Sequence, residues 1–271
     1  MRTTLRRSVL AAVRWAFLAL VVIGSLFMIF IVATPQGKAG FRAALFVPEV
    51  LDVPLKPQPW FTGDPVRHEV TYPQAAGTGV ADVYRIPDGK RRAAVLLFLG
   101  ANAAGRDDED VLNLGNALAR GGFVVMFHWS PTMALQHNID PAEIDNLVRA
   151  FLFLEQQDWV DSKRVGIGGF CVGASFSLVA AADPRISDRV RFVNAFGPYF
   201  DAEDLLLQVV TRSRLYQGVR TPWQPDRLTL EVFANELIET VDDPADGELL
   251  TKKYLKRELG DGQLATSACQ S

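Results

Sequence analysis

One side chain in this sequence is placed like a nucleophile. Cys171 lies within Val165–Ser175, read as Val-Gly-Ile-Gly-Gly-Phe-Cys-Val-Gly-Ala-Ser. An apolar run ends in Gly168-Gly169, the cysteine follows on a sharp turn, and Gly173-Ala174-Ser175 opens a helix that runs to Ala182. A nucleophile on such a strand-to-helix elbow takes strained backbone angles, so Gly169 and Gly173 supply room where a Cβ would clash. The sulfur then stands at a helix N-terminus, where unpaired N–H groups and the helix dipole favour negative charge. The backbone N–H of Val172 points to the place where an oxyanion develops during acyl transfer, giving half of an oxyanion hole. The competing reading is a packed structural cysteine, since free cysteine is among the most buried residue types.

Gly169-x-Cys171-x-Gly173 is the cysteine form of the Gly-x-Ser-x-Gly elbow, and here the chain resembles the α/β-hydrolase superfamily, within it the dienelactone hydrolase family. The resemblance spans roughly Arg67 to Tyr199. It implies a nucleophile after the fifth strand and a second oxyanion donor in the loop after the third, which maps onto Gly100–Ala103, at Ala101 or Asn102. It also implies a helical cap after the sixth strand, and an acid and a histidine that both follow the nucleophile. A Gly-rich turn without a ligand is the alternative for Gly100–Ala103. Neither this loop nor Gly166–Gly169 matches a dinucleotide fingerprint or a P-loop.

The elements that must position Cys171 are written in hydrophobic periodicity. Arg67–Tyr72 and Val80–Ile86 alternate as half-buried strands around Gly77, Thr78 and Gly79, which predicts an antiparallel hairpin at a sheet edge. Ala93–Leu99 is a continuous apolar run, as a strand covered on both faces requires. After it come the acidic run Asp107–Asp110, a helix to Arg120, a strand Phe123–Phe127, an amphipathic helix Pro141–Gln156, the strand Val165–Ile167, the elbow, and a strand Val190–Ala195. Alternating strands and helices predict an α/β fold with a doubly wound, mainly parallel sheet. After Tyr199 the pattern becomes three helices, Asp201–Tyr216, Leu228–Thr240 and Gly247–Leu259, then the polar tail Asp261–Ser271. The resulting division is 1–34 basic segment and anchor, 35–65 connector rich in Pro and Gly, 66–200 α/β-hydrolase-type core, and 201–271 helical cap-like region and tail.

A cysteine nucleophile needs a base, and the base an orienting carboxylate. His68, His128 and His137 are the only histidines, and all precede Cys171. The expected base is absent, and two explanations stand: a fragment lacking its C-terminal strands, or a relative naturally without the histidine. The fragment is favoured, because a sheet ending at its sixth strand leaves an apolar edge that needs covering. His128 follows a strand at the carboxyl end of the sheet, but the third strand intervenes, so it starts on the order of 10 Å from Cys171. It is expected to line the pocket or be hydrogen-bonded. His68 and His137 have no evident partner. Trp129 and Tyr199, with Phe196 and Trp223, suggest an apolar pocket. Asp201 and Glu203 read as helix caps, and Asp107–Asp110 as a solvated helix start rather than a metal cluster.

Composition narrows the partners. With 271 residues and a net charge of -3, and no basic cluster interleaved with aromatics, nucleic-acid binding has nothing to recommend it. Cys171 and Cys269 are the only cysteines, which excludes a disulfide framework and a cysteine-rich metal site; no metal or organic cofactor is called for. Trp15–Ala33 carries no charge and is long enough to cross a bilayer as a helix. Arg2, Arg6, Arg7 and Arg14 precede it, so the N-terminus is expected in the cytoplasm and the C-terminal domain outside. An uncleaved anchor is favoured over a cleaved signal peptide with Val32-Ala33-Thr34 as its site. The expected substrate is a small ester, lactone or thioester, and the expected lipid partner is the bilayer around residues 15–33. A non-catalytic binding module is the second reading, and a thiol-redox role the third, since no resolving cysteine lies nearby. Oligomeric state has no signal.

Overall fold

The apolar run after residue 92 becomes the strand around which the sheet is laid. In the computed structural model, residues 2–51, 53–101 and 105–255 are described, with the backbone alone in 2–13. Strand β3 (Arg92–Phe98) pairs in parallel on one side with β4 (Phe123–Trp129) and on the other with β5 (Val160–Phe170). β5 pairs in parallel with β6 (Val190–Phe196). On the far side, β2 (Thr78–Arg85) runs antiparallel to β4 and to the edge strand β1 (Val66–Pro73). The order β1-β2-β4-β3-β5-β6, with only β2 reversed, is that of an α/β-hydrolase-type sheet.

Helices cover both faces. α3 (Glu109–Arg120) packs on β2 and β4, over a cluster that includes Tyr84, Val95, Leu97 and Phe127. Asp108 caps its N-terminus, its Oδ1 accepting from Asp110 N at 3.0 Å. α5 (Glu143–Glu155) and α6 (Val172–Ala181) close the other face over Leu96, Phe98, Met126 and Ile167, all buried. Completely buried strands with a helix layer on each side explain why Ala93–Phe98 is apolar at every position. A short helix, α4 (Pro131–Leu135), not predicted, follows β4; Ser130 caps it and Pro131 sits where a missing N–H costs nothing.

β5 reaches back to Val160, well before the apolar run that marks it in the sequence, because Asp161–Arg164 extends beyond the covered part of the sheet. β6 pairs with β5 alone among the described residues, and Phe192, Val193 and Phe196 on it are exposed.

The region after β6 is only partly the three helices expected. α7 (Ala202–Thr211) starts at Asp201, whose Oδ1 accepts from Glu203 N at 2.8 Å, and stops at Arg212 in the left-handed region. The chain then forms a hairpin, β7 (Ser213–Tyr216) and β8 (Val219–Pro222), turning at Gln217 and Gly218, both with positive φ. Two successive positive φ values match the right-handed twist of a two-residue hairpin. α8 (Arg227–Glu239) and α9 (Pro244–Leu250) follow. The predicted end of the third helix, after residue 255, lies outside the described residues.

The chain divides into two compact units, residues 1–63 and 64–271. In the first, α1 (Arg2–Ala33) contains a 20-residue stretch, Arg14–Ala33, of mean hydropathy 2.9 with none of it buried, long and apolar enough to span a membrane. Residues expected as a Pro-rich connector instead begin with a second helix, α2 (Pro35–Val50). Thr34 caps it, its Oγ1 accepting from Gly37 N at 2.9 Å, and Pro35 occupies the first turn, where its fixed φ suits a helix. Pro48 falls in the last turn and removes a single intrahelical bond.

Candidate functional site

Cys171 is the hinge between β5 and α6, with φ 51° and ψ −127°. A non-glycine residue held there stores about 1–3 kcal/mol of strain and persists only where its surroundings enforce it. Two backbone bonds do so: Cys171 N donates to Phe196 O of β6 at 2.9 Å, and Cys171 O accepts from Ala174 N at 3.0 Å. The thiol is free and exposed. Val172 is the first residue of α6, so its N–H has no partner within the helix.

The flanking glycines lie where three chain segments meet. A Cβ on Gly169 would come within 2.5 Å of Gly173 O and 2.6 Å of Phe98 O. One on Gly173 would lie 2.5 Å from Phe98 O and 2.6 Å from Gly100 N. The start of the loop after β3 therefore packs directly on the elbow, and Ala101 lines the same cavity as Cys171 and Val172. Asn102, the other donor candidate, lies outside the described residues.

That cavity, about 550 Å³, is roofed by α7, α8 and the β7–β8 hairpin. Tyr199 lines it and is fixed to α6, its N donating to Ser175 Oγ at 3.1 Å while that hydroxyl donates back to Tyr199 O at 3.3 Å. Burial raises the Tyr199 phenol above its ordinary value, with Cys171 and Glu236 nearby adding to the rise. The wall is largely apolar, with Leu228, Val232 and Trp223 from the cap; Asp201 and Asp226 on it are engaged as caps of α7 and α8.

Neither His128 nor Trp129 lines this cavity: Trp129 departs from the expectation, and His128 takes the hydrogen-bonded alternative of its two. Successive strand residues point to opposite faces, so β4 sends both into the two cores. His128 is buried under the Phe98 ring, between Tyr72 and Glu143: Nδ1 is 2.5 Å from the Tyr72 hydroxyl and Nε2 is 2.6 Å from Glu143 Oε2. A carboxylate only accepts, so Nε2 carries the hydrogen and, in the neutral ring, Nδ1 accepts from Tyr72. Burial pushes the Glu143 carboxyl up, but bonds from His128, Ser130 and Asn146 outweigh it and the net shift is downward. Trp129 stacks on Phe127 and donates from Nε1 to Asp82 Oδ2 at 2.9 Å.

Asp82 itself is buried and carries two guanidinium groups, Arg106 through Nε and NH2 at 2.9 and 2.7 Å and Arg67 at 3.0 Å. Burial works to raise its carboxyl, and the two arginines together bring it below its ordinary value. Arg106 lies five residues beyond Ala101 in the sequence. A charged residue inside the otherwise apolar run Val80–Tyr84 was the available sequence signal for Asp82; Glu143 had none. His137, expected without a partner, pairs with Glu231 of α8 at 3.2 Å. His68 makes an edge contact with Trp159, and burial lowers its imidazole, with Arg85 adding to the effect. The acidic run 107–110 is a helix start, with Asp107 paired to Arg67 at 2.6 Å.

No protein-family model and no curated protein matches the sequence. Solved structures do. The chain is similar to a hyperthermophilic esterase from the archaeon Pyrobaculum calidifontis at 20% identity and TM-score 0.41, covering 60% of this chain and 50% of that one. Another solved esterase aligns at 15% identity and TM-score 0.45, over 66% of this chain and 58% of its own. A dienelactone hydrolase-like promiscuous phosphotriesterase from metagenomic libraries aligns at 19% identity and TM-score 0.41, over 50% and 60%. The chain thus spans between half and two thirds of the length of each.

Proposed function

We propose that this protein is a membrane-anchored hydrolase of α/β-hydrolase, dienelactone hydrolase-like type, acting on an ester, lactone or thioester through an acyl-Cys171 intermediate. The observation that carries the reading is the conformation of Cys171: an exposed thiol at φ 51° on a strand-to-helix turn, opening into a 550 Å³ cavity. Strain of this kind is kept where geometry is used. In the reaction the thiolate sulfur bonds to the carbonyl carbon, and the carbonyl π electrons move to oxygen, facing the Val172 and Ala101 N–H groups. Collapse expels the leaving alkoxide or thiolate, which takes a proton, and leaves a thioester on Cys171. Water then adds to the acyl carbon and releases the acid and the thiol. Residues 15–33 are the proposed anchor, with the N-terminus cytoplasmic and the second unit on the opposite side.

A second reading is favoured by one observation. No histidine is among the described residues lining the cavity; His128 and His137 are each bound to a glutamate instead. In that reading the fold is a non-catalytic, membrane-tethered ligand-binding module. Stopped-flow assays with p-nitrophenyl acetate separate the two: a burst of p-nitrophenol that disappears in Cys171→Ala supports the hydrolase, and its absence in both proteins supports the module.

A further inference from the structure

We infer that the β7–β8 hairpin is a membrane-docking element that seats its tip in an anionic lipid surface. The tip is apolar and fully outside the core: Leu215 is 50%, Tyr216 73% and Val219 62% exposed. A two-residue turn through Gln217 and Gly218 makes it a narrow, defined projection. Just before it, Val210 on the last turn of α7 adds exposed apolar surface.

Charge selects the partner. Between residues 212 and 227 the sequence carries Arg212, Arg214, Arg220 and Arg227 against Asp226 alone, in a chain whose net charge is -3. All four arginines are exposed. Among the described residues none of them pairs with a carboxylate. The Arg214 guanidinium carbon lies over the Trp223 ring, 4.3 Å from its centre, and Arg220 donates to Ser213 Oγ at 2.7 Å. Asp226 is taken up at the start of α8, accepting from Thr229 N at 2.9 Å. An apolar tip with a tyrosine, flanked by a tryptophan and by cations lacking counter-charges, matches the layered chemistry of a bilayer interface. The same chain carries the apolar stretch Arg14–Ala33, long and apolar enough to span a membrane. Each arginine is expected to strengthen docking about five-fold on anionic lipid.

Arg214 and Trp223 also line the Cys171 cavity. A docked hairpin therefore puts one cavity wall at the lipid surface and, on the hydrolase reading above, selects esters that partition into the bilayer. Docking itself does not depend on that reading.

The test uses the full chain in vesicles, with Cys171→Ser and Cys269→Ser and a single environment-sensitive fluorophore on Tyr216→Cys. A control carries it on Asp188→Cys, which is exposed just before β6 at the opposite end of the sheet. In vesicles of phosphatidylcholine and phosphatidylglycerol, brominated lipid is expected to quench the hairpin label several-fold more than the control. Arg212→Gln with Arg214→Gln, or pure phosphatidylcholine, is expected to remove most of that difference. Equal quenching of the two labels overturns docking. So does protection of the hairpin label from aqueous iodide without quenching by lipid, which marks a protein contact. Undiminished quenching in pure phosphatidylcholine overturns the recognition of anionic lipid. No outcome depends on catalysis, so docking and the acyl-enzyme reading stand or fall separately.

Discussion

The backbone N–H of Cys171 donates to the carbonyl of Phe196 at 2.9 Å, tying the strained elbow residue to the last residue of β6. The position of Cys171 is thus set by the neighbouring strand as well as by its own helix. Several consequences can be measured.

Replacing Cys171 separates strain from chemistry. Cys171→Gly removes a side chain from a positive-φ position and is expected to stabilise the protein by about 1 kcal/mol relative to Cys171→Ala, which keeps the strain. Urea denaturation of the two variants reads the difference. Equal midpoints would show that the φ of 51° is not a strained state of the folded protein.

The glycines around the elbow allow no such exchange. In Gly173→Ala the new methyl carbon meets Phe98 O and Gly100 N, backbone atoms that cannot yield without opening the junction. A loss of about 2–3 kcal/mol is expected in chemical denaturation, as for overpacking elsewhere. Gly247→Ala, with open space around it, serves as the control and is expected to be neutral or slightly stabilising.

The Tyr72–His128–Glu143 chain gives a pH signature. The Glu143 carboxyl is held below its unfolded value of 4.5, so it contributes stability above that pH, which is lost as pH falls through its lower folded value. Glu143→Gln is expected to flatten the stability profile below about pH 4.5, in proportion to that shift. His128→Phe leaves the carboxylate buried without its main donor and is expected to cost about 3 kcal/mol at pH 7. Denaturation midpoints across pH check both.

Arg106 grips Asp82 through two bonds, and on the hydrolase reading that grip bears on the donor at Ala101. Arg106→Lys keeps the charge but loses the two-point grip on Asp82. Acylation of Cys171 by p-nitrophenyl acetate is expected to fall about ten-fold, as for partial loss of one oxyanion donor. Alkylation of the same thiol by iodoacetamide, which forms no oxyanion, is expected to be unchanged. A parallel fall in both rates would mean that the substitution disturbs the elbow itself.

Much of the core was legible because burial on both faces leaves a plain mark: Ala93–Leu99 and Phe123–Phe127 are apolar throughout and became central strands. The acidic turn at Asp108 likewise announced α3. What failed depended on context. The Pro and Gly content of 35–65 read as a connector, yet Pro35 and Pro48 fall at the first and last turns of α2, where a proline costs little. Gln217-Gly218 is a weak hairpin signal beside Asn-Gly, so Asp201–Tyr216 read as one helix. At the site, the glycines around Cys171 announced the elbow, since their spacing is dictated by close approach of Phe98 and Gly100. For His128 a hydrogen-bonded fate was one of two expectations, but its partners were invisible: Tyr72 on β1 and Glu143 on α5 are distant from it in sequence.

The central claim is that Cys171 becomes acylated, and intact-mass spectrometry with peptide mapping tests it most directly. Full-length protein with Cys269→Ser, quenched in acid within seconds of mixing with p-nitrophenyl acetate, is predicted to carry one acetyl group, mapped to the peptide containing Cys171. The adduct is predicted to decay as acetate forms and to be absent from Cys171→Gly. Ester turnover without an adduct at Cys171, or turnover undiminished in Cys171→Gly, would contradict the account.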